Sequence, residues 1–145
     1  MATRERAVLS GVSCPSPAPP SGRVQLGHGS GGTMSARMLR ERFLPRFANP
    51  YLTALGDGAR VPVTGPEVVI STDTFVVSPL EFPGGNIGHL AVHGTVNDLA
   101  MMGAVPRYLS AGFVLEEGLP FDVLDRVLDA MAATAERCGV DIVTG

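Results

Sequence analysis

Three aspartates set among small polar residues offer the clearest chemistry in the chain. Asp73 lies in Ser71-Thr72-Asp73-Thr74-Phe75, just after the β-branched run Val68-Val69-Ile70; Asp98 lies in Gly94-Thr-Val-Asn97-Asp98; Asp57 lies in the turn Gly56-Asp57-Gly58. Acids from different elements can converge on one hard cation, and Mg²⁺ takes one or two carboxylates while keeping positions for phosphate oxygens and water. A second stretch suits an anion. His28-Gly29-Ser30-Gly31-Gly32 opens a helix, where unobstructed backbone N–H groups and the positive helix terminus attract negative charge. No Gly-Lys-Ser/Thr follows, so it is not a P-loop, and it does not open from a β-branched strand as a dinucleotide fingerprint does. Each feature has a local explanation: an Asx turn for Asp57, a flexible loop capped by Thr33 or Ser35 for the glycines. Taken together they suggest a nucleotide-phosphate site, with metal to neutralise phosphate charge and a loop to exclude water.

Other constellations fall short. His89 and His93 share a helical face like a metalloprotease pair, but Leu90 stands where the general base should follow His89, and His28 is the sole further histidine. Cys138 ends an amphipathic helix with no histidine near it in sequence, which reads as a small core residue.

The elements that would position the acids follow from pattern and punctuation. A helix from about Ser35 is expected to end before Pro45, and Asn49-Pro50 marks a turn. Val61 to Val63 reads as a short edge strand and Val68 to Val77 as a full one. Asn86 or Gly88 starts a helix reaching Met102, with Gly103 as its stop. Tyr108 to Leu115, almost wholly apolar, reads as a strand covered on both faces. Leu124, Val127, Leu128, Met131 and Ala135 recur at helical spacing after Pro120, with Asp122, Asp125, Asp129 and Glu136 facing out. Gly139 ends that helix and Val140 to Thr144 begins another strand. The chain stops there, where a domain rarely ends, which predicts a fragment.

Composition sets the limits. With 145 residues, 45% of them hydrophobic, the chain holds one domain; net charge −3 and the absence of tryptophan argue against nucleic acid. Prolines cluster in Cys14-Pro-Ser-Pro-Ala-Pro-Pro-Ser-Gly22, so residues 1–22 read as a disordered leader and 23–145 as the domain; a proline-rich ligand is the leader's alternative role. Cys14 and Cys138 make no disulfide framework, and a reducing cytoplasm is the natural compartment. The apolar run after Arg4 and Arg6 is too short for a signal peptide, and nothing approaches the ~20 apolar residues of a membrane span.

From about Val24 to Gly145 the chain resembles the amino-terminal domain of the HypE carbamoyl dehydratases of hydrogenase maturation, within the superfamily of aminoimidazole ribonucleotide and selenophosphate synthetases. The resemblance is carried by His28-Gly-Ser-Gly-Gly32, Ser71-Thr-Asp-Thr-Phe75, Phe82-Pro-Gly-Gly85, Gly94-Thr-Val-Asn-Asp98, Gly103-Ala-Val-Pro-Arg-Tyr-Leu109, Gly112 to Pro120 and Ile142-Val-Thr-Gly145. It implies a PurM-like α+β domain, a four-stranded mixed or antiparallel sheet with helices on one face, and a homodimer whose sheets form a barrel. Asp73 and Asp98, with Asp57, would bind Mg²⁺ and ATP; Thr72, Thr74 and Asn97 would join the nucleotide site and the loop from His28 to Gly32 would close over the phosphates. Many relatives have two adjacent acids where this chain has Gly56-Asp57.

The activity so implied is ATP-dependent dehydration of a thiocarboxamide on a carboxy-terminal cysteine to a thiocyanate, whose cyano group goes to the iron of a [NiFe]-hydrogenase. The implied partners are the carbamoyltransferase HypF and a HypC–HypD scaffold. Neither Cys14 nor Cys138 matches the carrier cysteine, so these residues alone are expected not to complete the reaction. The rivals are another synthetase of the superfamily and a non-catalytic dimerisation or nucleotide-binding module.

Overall fold

The computed structural model describes residues 22–145; the predicted leader and Cys14 lie outside the described residues except for Gly22. Two helices dominate, α3 at Ile87–Met101 and α4 at Phe121–Cys138, packed face to face. On α4, Leu124, Val127, Leu128, Met131 and Ala135 are buried, the stripe read from sequence, and Phe121 joins them. The approach is close because Gly88 has no side chain: a Cβ there would lie 2.3 Å from the Val127 carbonyl oxygen.

Both helices start and stop as their punctuation demands. Asn86 caps α3, its Oδ1 accepting the Gly88 N–H at 2.9 Å and the His89 N–H at 3.3 Å, while His89 Nδ1 accepts the Asn86 N–H at 3.2 Å. At the other end Gly103, at φ +75°, donates to Ala100 O while the Ala104 N–H reaches back to Leu99 O. Gly139, at φ +67°, does the same for α4, with Val140 N–H on Ala135 O. Each is the left-handed stop that glycine makes without a Cβ clash.

α4 also joins two strands, β3 at Tyr108–Ser110 and β4 at Asp141–Thr144, which pair in parallel as such a crossover requires. A second, antiparallel pair, β1 at Glu81–Phe82 and β2 at Gly85–Asn86, turns the chain into α3. The expected four-stranded sheet is therefore replaced, among the described residues, by two separate two-stranded sheets. The α+β content stands. Val61 to Val63 and Val68 to Val77 run without strand partners, and the strand from Tyr108 shortens to three residues. A backbone ladder needs a neighbour, and none lies beside them among the described residues. Nor is the Tyr108 to Leu115 segment covered on both faces, since Val114 is fully exposed.

The amino-terminal segment closes the other side of the core. Val24 exchanges backbone hydrogen bonds with Gly118 and Leu119, and Phe43 and Phe47 are buried beside Phe121 and Leu124. The predicted stop before Pro45 does not occur. Helix α1, Thr33–Met38, continues through a π-helical turn, Leu39–Phe43, into α2, Leu44–Phe47. The Leu44 N–H reaches back to Leu39 O, and the widened turn accommodates the ring that an α-helix would drive into the carbonyl of Glu41. Asn49 then pins the exit: its Oδ1 accepts the N–H groups of Tyr51 and Leu52, and its Nδ2 donates to Ile142 O of β4 at 2.7 Å. Among the described residues no helix is long and apolar enough to cross a membrane.

Candidate functional site

The segment from Ser71 to Phe75 belongs to no helix or strand, and its contacts bring Ser71, Asp73 and Phe75 to the same neighbour. That neighbour is α3. The Ser71 hydroxyl donates to Asp98 Oδ2 at 3.2 Å. Asp73 and Phe75 lie over Gly94, where a Cβ would stand 3.7 Å from Asp73 Oδ2 and 2.6 Å from Phe75 Cζ. The segment thus runs antiparallel to the helix, Ser71 against Asp98 and Asp73 against Gly94. Since Gly94 and Asp98 are four apart, they share one helical face, and the two acids sit about one turn from each other.

Both carboxylates are exposed and lightly held. Asp73 Oδ1 accepts the N–H of Thr74 at 2.9 Å, and Asp98 has the Ser71 hydroxyl. Among the described ion pairs none involves Asp57, Asp73 or Asp98. Two acids and a hydroxyl without a protein cation form a donor set that fits Mg²⁺, which needs few protein ligands when phosphate supplies the others. A shallow cleft of about 420 Å³ opens beside them, lined by Val69, Ile70, Ser71, Asp98, Met101 and Met102. Thr72 and Asn97 are exposed next to the acids.

Asp57 is not gathered in. It occupies an exposed bend, and among the described residues no group of three His, Cys, Asp or Glu side chains could hold a metal. The glycine-rich loop also stays apart from the acids, sharing neither a described hydrogen bond nor a cleft with them. Its own bonds shape it: Ser35 Oγ donates to His28 O at 2.7 Å and accepts the Gly31 N–H at 3.0 Å, and Ser30 Oγ donates to Gly27 O. Ser35 therefore braces the loop, whereas the helix begins at Thr33 with Gly32 as an N-cap lacking a side-chain bond. The His28 ring meets the Phe121 ring edge-on at 5.3 Å, and His28 and Gly29 line a separate cleft of about 220 Å³ with Met38, Phe113 and Glu117.

The remaining polar residues have structural partners. Asp129 of α4 faces out as expected yet pairs with the amino-terminal helical run, Arg46 Nε donating to its Oδ1 at 2.5 Å, whereas Asp125 is partly buried against that run and pairs with Arg42. The Arg42 guanidinium also stacks 3.9 Å from the Phe121 ring centre. Arg126 bridges Glu81 at 2.6 Å and Asp122 at 3.0 Å; its hydrogen bond holds the Asp122 carboxyl below the usual carboxylate range. His89 belongs to the α3 cap, and Cys138 Sγ lies 3.9 Å from His93 Nδ1, a neighbour sequence spacing did not show. Sequence reasoning also missed Ser71 and Gly94 as parts of the site. The two-residue step back from Asp73 could have found Ser71, while Gly94 offers only its four-residue spacing from Asp98 and no side chain to mark it.

A small α+β domain with two acids ranged along one helix face is the class defined so far. The chain belongs to the family described as AIR synthase related protein, N-terminal domain, whose model matches residues 56–145. It is 50% identical over 125 residues to the carbamoyl dehydratase HypE of Rhizobium leguminosarum bv. viciae and 50% identical over 127 residues to that of Escherichia coli strain K12. Those matches cover 86% and 84% of this chain but 36% and 38% of the relatives, so the chain spans little more than a third of their length. Among solved structures, the hydrogenase maturation protein HypE in complex with ATP superposes with a TM-score of 0.81 at 55% identity, over 83% of this chain and 36% of that one. A HypE–HypF complex superposes with a TM-score of 0.52 at 42% identity, over 74% of this chain and 34% of that one.

Proposed function

We propose that this chain is the Mg-ATP-binding amino-terminal part of a HypE-like carbamoyl dehydratase, which dehydrates a cysteine thiocarboxamide to a thiocyanate for hydrogenase maturation. The observation that carries the reading is the alignment of Asp73 and Asp98 along α3 in a chain 55% identical to an ATP-bound HypE. Asp73 and Asp98 are the metal ligands, with Thr72, Thr74 and Asn97 in the nucleotide site; Asp57, which stands apart in an exposed bend here, joins as the third acid only by a rearrangement of its loop. Bound magnesium supplies charge neutralisation at the phosphate oxygens. The residues His28 to Gly32 cover those phosphates; in the present conformation the Gly31 N–H is taken by Ser35, so phosphate contact there exchanges that bond.

The exposed apolar side chains of the unpaired stretch, Ile70 at 83% and Val76 at 92%, support a homodimer in which a second copy supplies the missing strand neighbours and completes a barrel. HypF is the partner suggested by the HypE–HypF neighbour, and HypC–HypD follows from the family resemblance, in the cytoplasm. Neither Cys14 nor Cys138 matches the carrier cysteine, so thiocyanate formation is not expected from these residues alone.

Calorimetry with ATP, with and without magnesium, tests the nucleotide site. Magnesium-dependent binding that is lost in Asp73→Ala and Asp98→Ala is expected; unchanged affinity in both variants refutes the assignment.

A further inference from the structure

Gly94 is a mid-helix glycine with no turn to make. It lies inside α3, Ile87–Met101, where alanine would favour the helix, so its value is in what its missing side chain admits. What it admits is Phe75. A Cβ at 94 would stand 2.6 Å from Phe75 Cζ and 2.8 Å from Cε1, closer than carbon atoms approach without displacement, and the half-buried ring would have to move outward. Asp73 is two residues from Phe75 and lies over the same glycine, with Oδ2 3.7 Å from that same point. A Cβ at 94 would therefore collide with the ring and also touch the carboxylate oxygen that lies over the same bare backbone.

We propose that Gly94 is a positioning residue for the acid pair: its bare backbone seats Phe75 on α3 and thereby holds Asp73 one helical turn from Asp98. The inference rests on reading the two acids as Mg-ATP ligands, and it adds a residue that touches neither metal nor nucleotide. Ser71 holds the other end of the segment against Asp98, so loss of the Phe75 seat swings Asp73 about a fixed point. Two carboxylates that must share one small octahedral cation tolerate little of that swing.

The experiment measures ATP binding against magnesium concentration for the 145-residue chain and for Gly94→Ala, Gly94→Ala with Phe75→Leu, and Asp98→Ala, with circular dichroism and thermal melting of each without nucleotide. Gly94→Ala is expected to raise the magnesium needed for half-maximal binding about 10- to 100-fold, the usual scale for losing a residue that orients a ligand, while the helical signal is retained. The smaller leucine at 75 removes the collision and is expected to recover most of that loss. A purely structural glycine would move the melting curve and leave the magnesium dependence unchanged. The proposal is overturned if Gly94→Ala binds Mg-ATP like the unaltered chain while Asp98→Ala does not. It is equally overturned if a folded double variant recovers nothing. Should Gly94→Ala alone unfold, the double variant carries the comparison. An Asp98→Ala curve indistinguishable from that of the unaltered chain marks failure of the underlying site reading instead, and the proposal falls with it.

Discussion

The helix pair α3 and α4 and the irregular stretch from residue 56 to 80 dispose of their apolar side chains in opposite ways. On the helices the apolar stripe meets a partner within the chain, and Val92 and Leu128 reach zero exposure. On the stretch Val63, Val68, Ile70 and Val76 stand in solvent, and the strands that sequence predicts there find no ladder. Yet the stretch carries Asp57 and Asp73, and only its contact with α3 gives Asp73 a fixed place. The difference teaches that the two candidate acids stand on unlike supports: Asp98 on a packed helix, and Asp73 on a segment with no strand partner among the described residues.

The comparison breaks most sharply at Leu128. Truncation to alanine removes a side chain with no exposed surface from the α3–α4 seam, and unfolding by urea is expected to show a loss of about 3 kcal/mol. Asp125→Ala comes next. It strips the partner from Arg42 and the 3.4 Å neighbour from Arg46, at side chains about a quarter exposed, and an expected loss of about 1–2 kcal/mol reflects that partial screening. If Asp125→Ala matched Leu128→Ala, the docking of the amino-terminal run would hold the fold as much as the helix seam does.

How much of this could be read from sequence follows the same division. Helix periodicity and glycine stops gave α4 to the residue and α3 to within one, because those signals are local and the burial they predict is satisfied within the chain. Strand patterning from Val68 to Val77 is equally strong locally, but a strand exists only beside another strand, and none is supplied here. Pro45 misled because a π turn can absorb its ring. Asp73 and Asp98 were legible as candidates from their small polar neighbours, while their common helix face came from Gly94, a residue with no side chain to signal it. The pairing of Arg42 and Arg46 with Asp125 and Asp129 spans more than eighty residues and has no local signature.

Ile70→Ser sharpens the comparison from the exposed side. At 83% exposure the change is expected to shift the stability of the isolated chain by no more than about 0.5 kcal/mol, with sedimentation showing weaker self-association. A loss like that of Leu128→Ala would mean that the stretch packs within the chain after all.

The smallest effect belongs to Arg126, which ties the start of α4 to β1 through Glu81 with side chains about half exposed. Asp122 has its pKa lowered, first by the Arg126 hydrogen bond, against a weaker opposing cost of burial. A carboxyl whose folded pKa lies below its unfolded value contributes stability above the unfolded value and loses it as pH falls through the folded one. The contribution is therefore present at neutral pH and fades below the ordinary carboxylate range. Arg126→Gln removes the cause, so carbon-detected NMR titration should find the Asp122 carboxyl titrating at higher pH, with neutral-pH unfolding almost unchanged. An unmoved Asp122 midpoint would show that the helix terminus, through its own backbone N–H groups, holds that charge without the arginine.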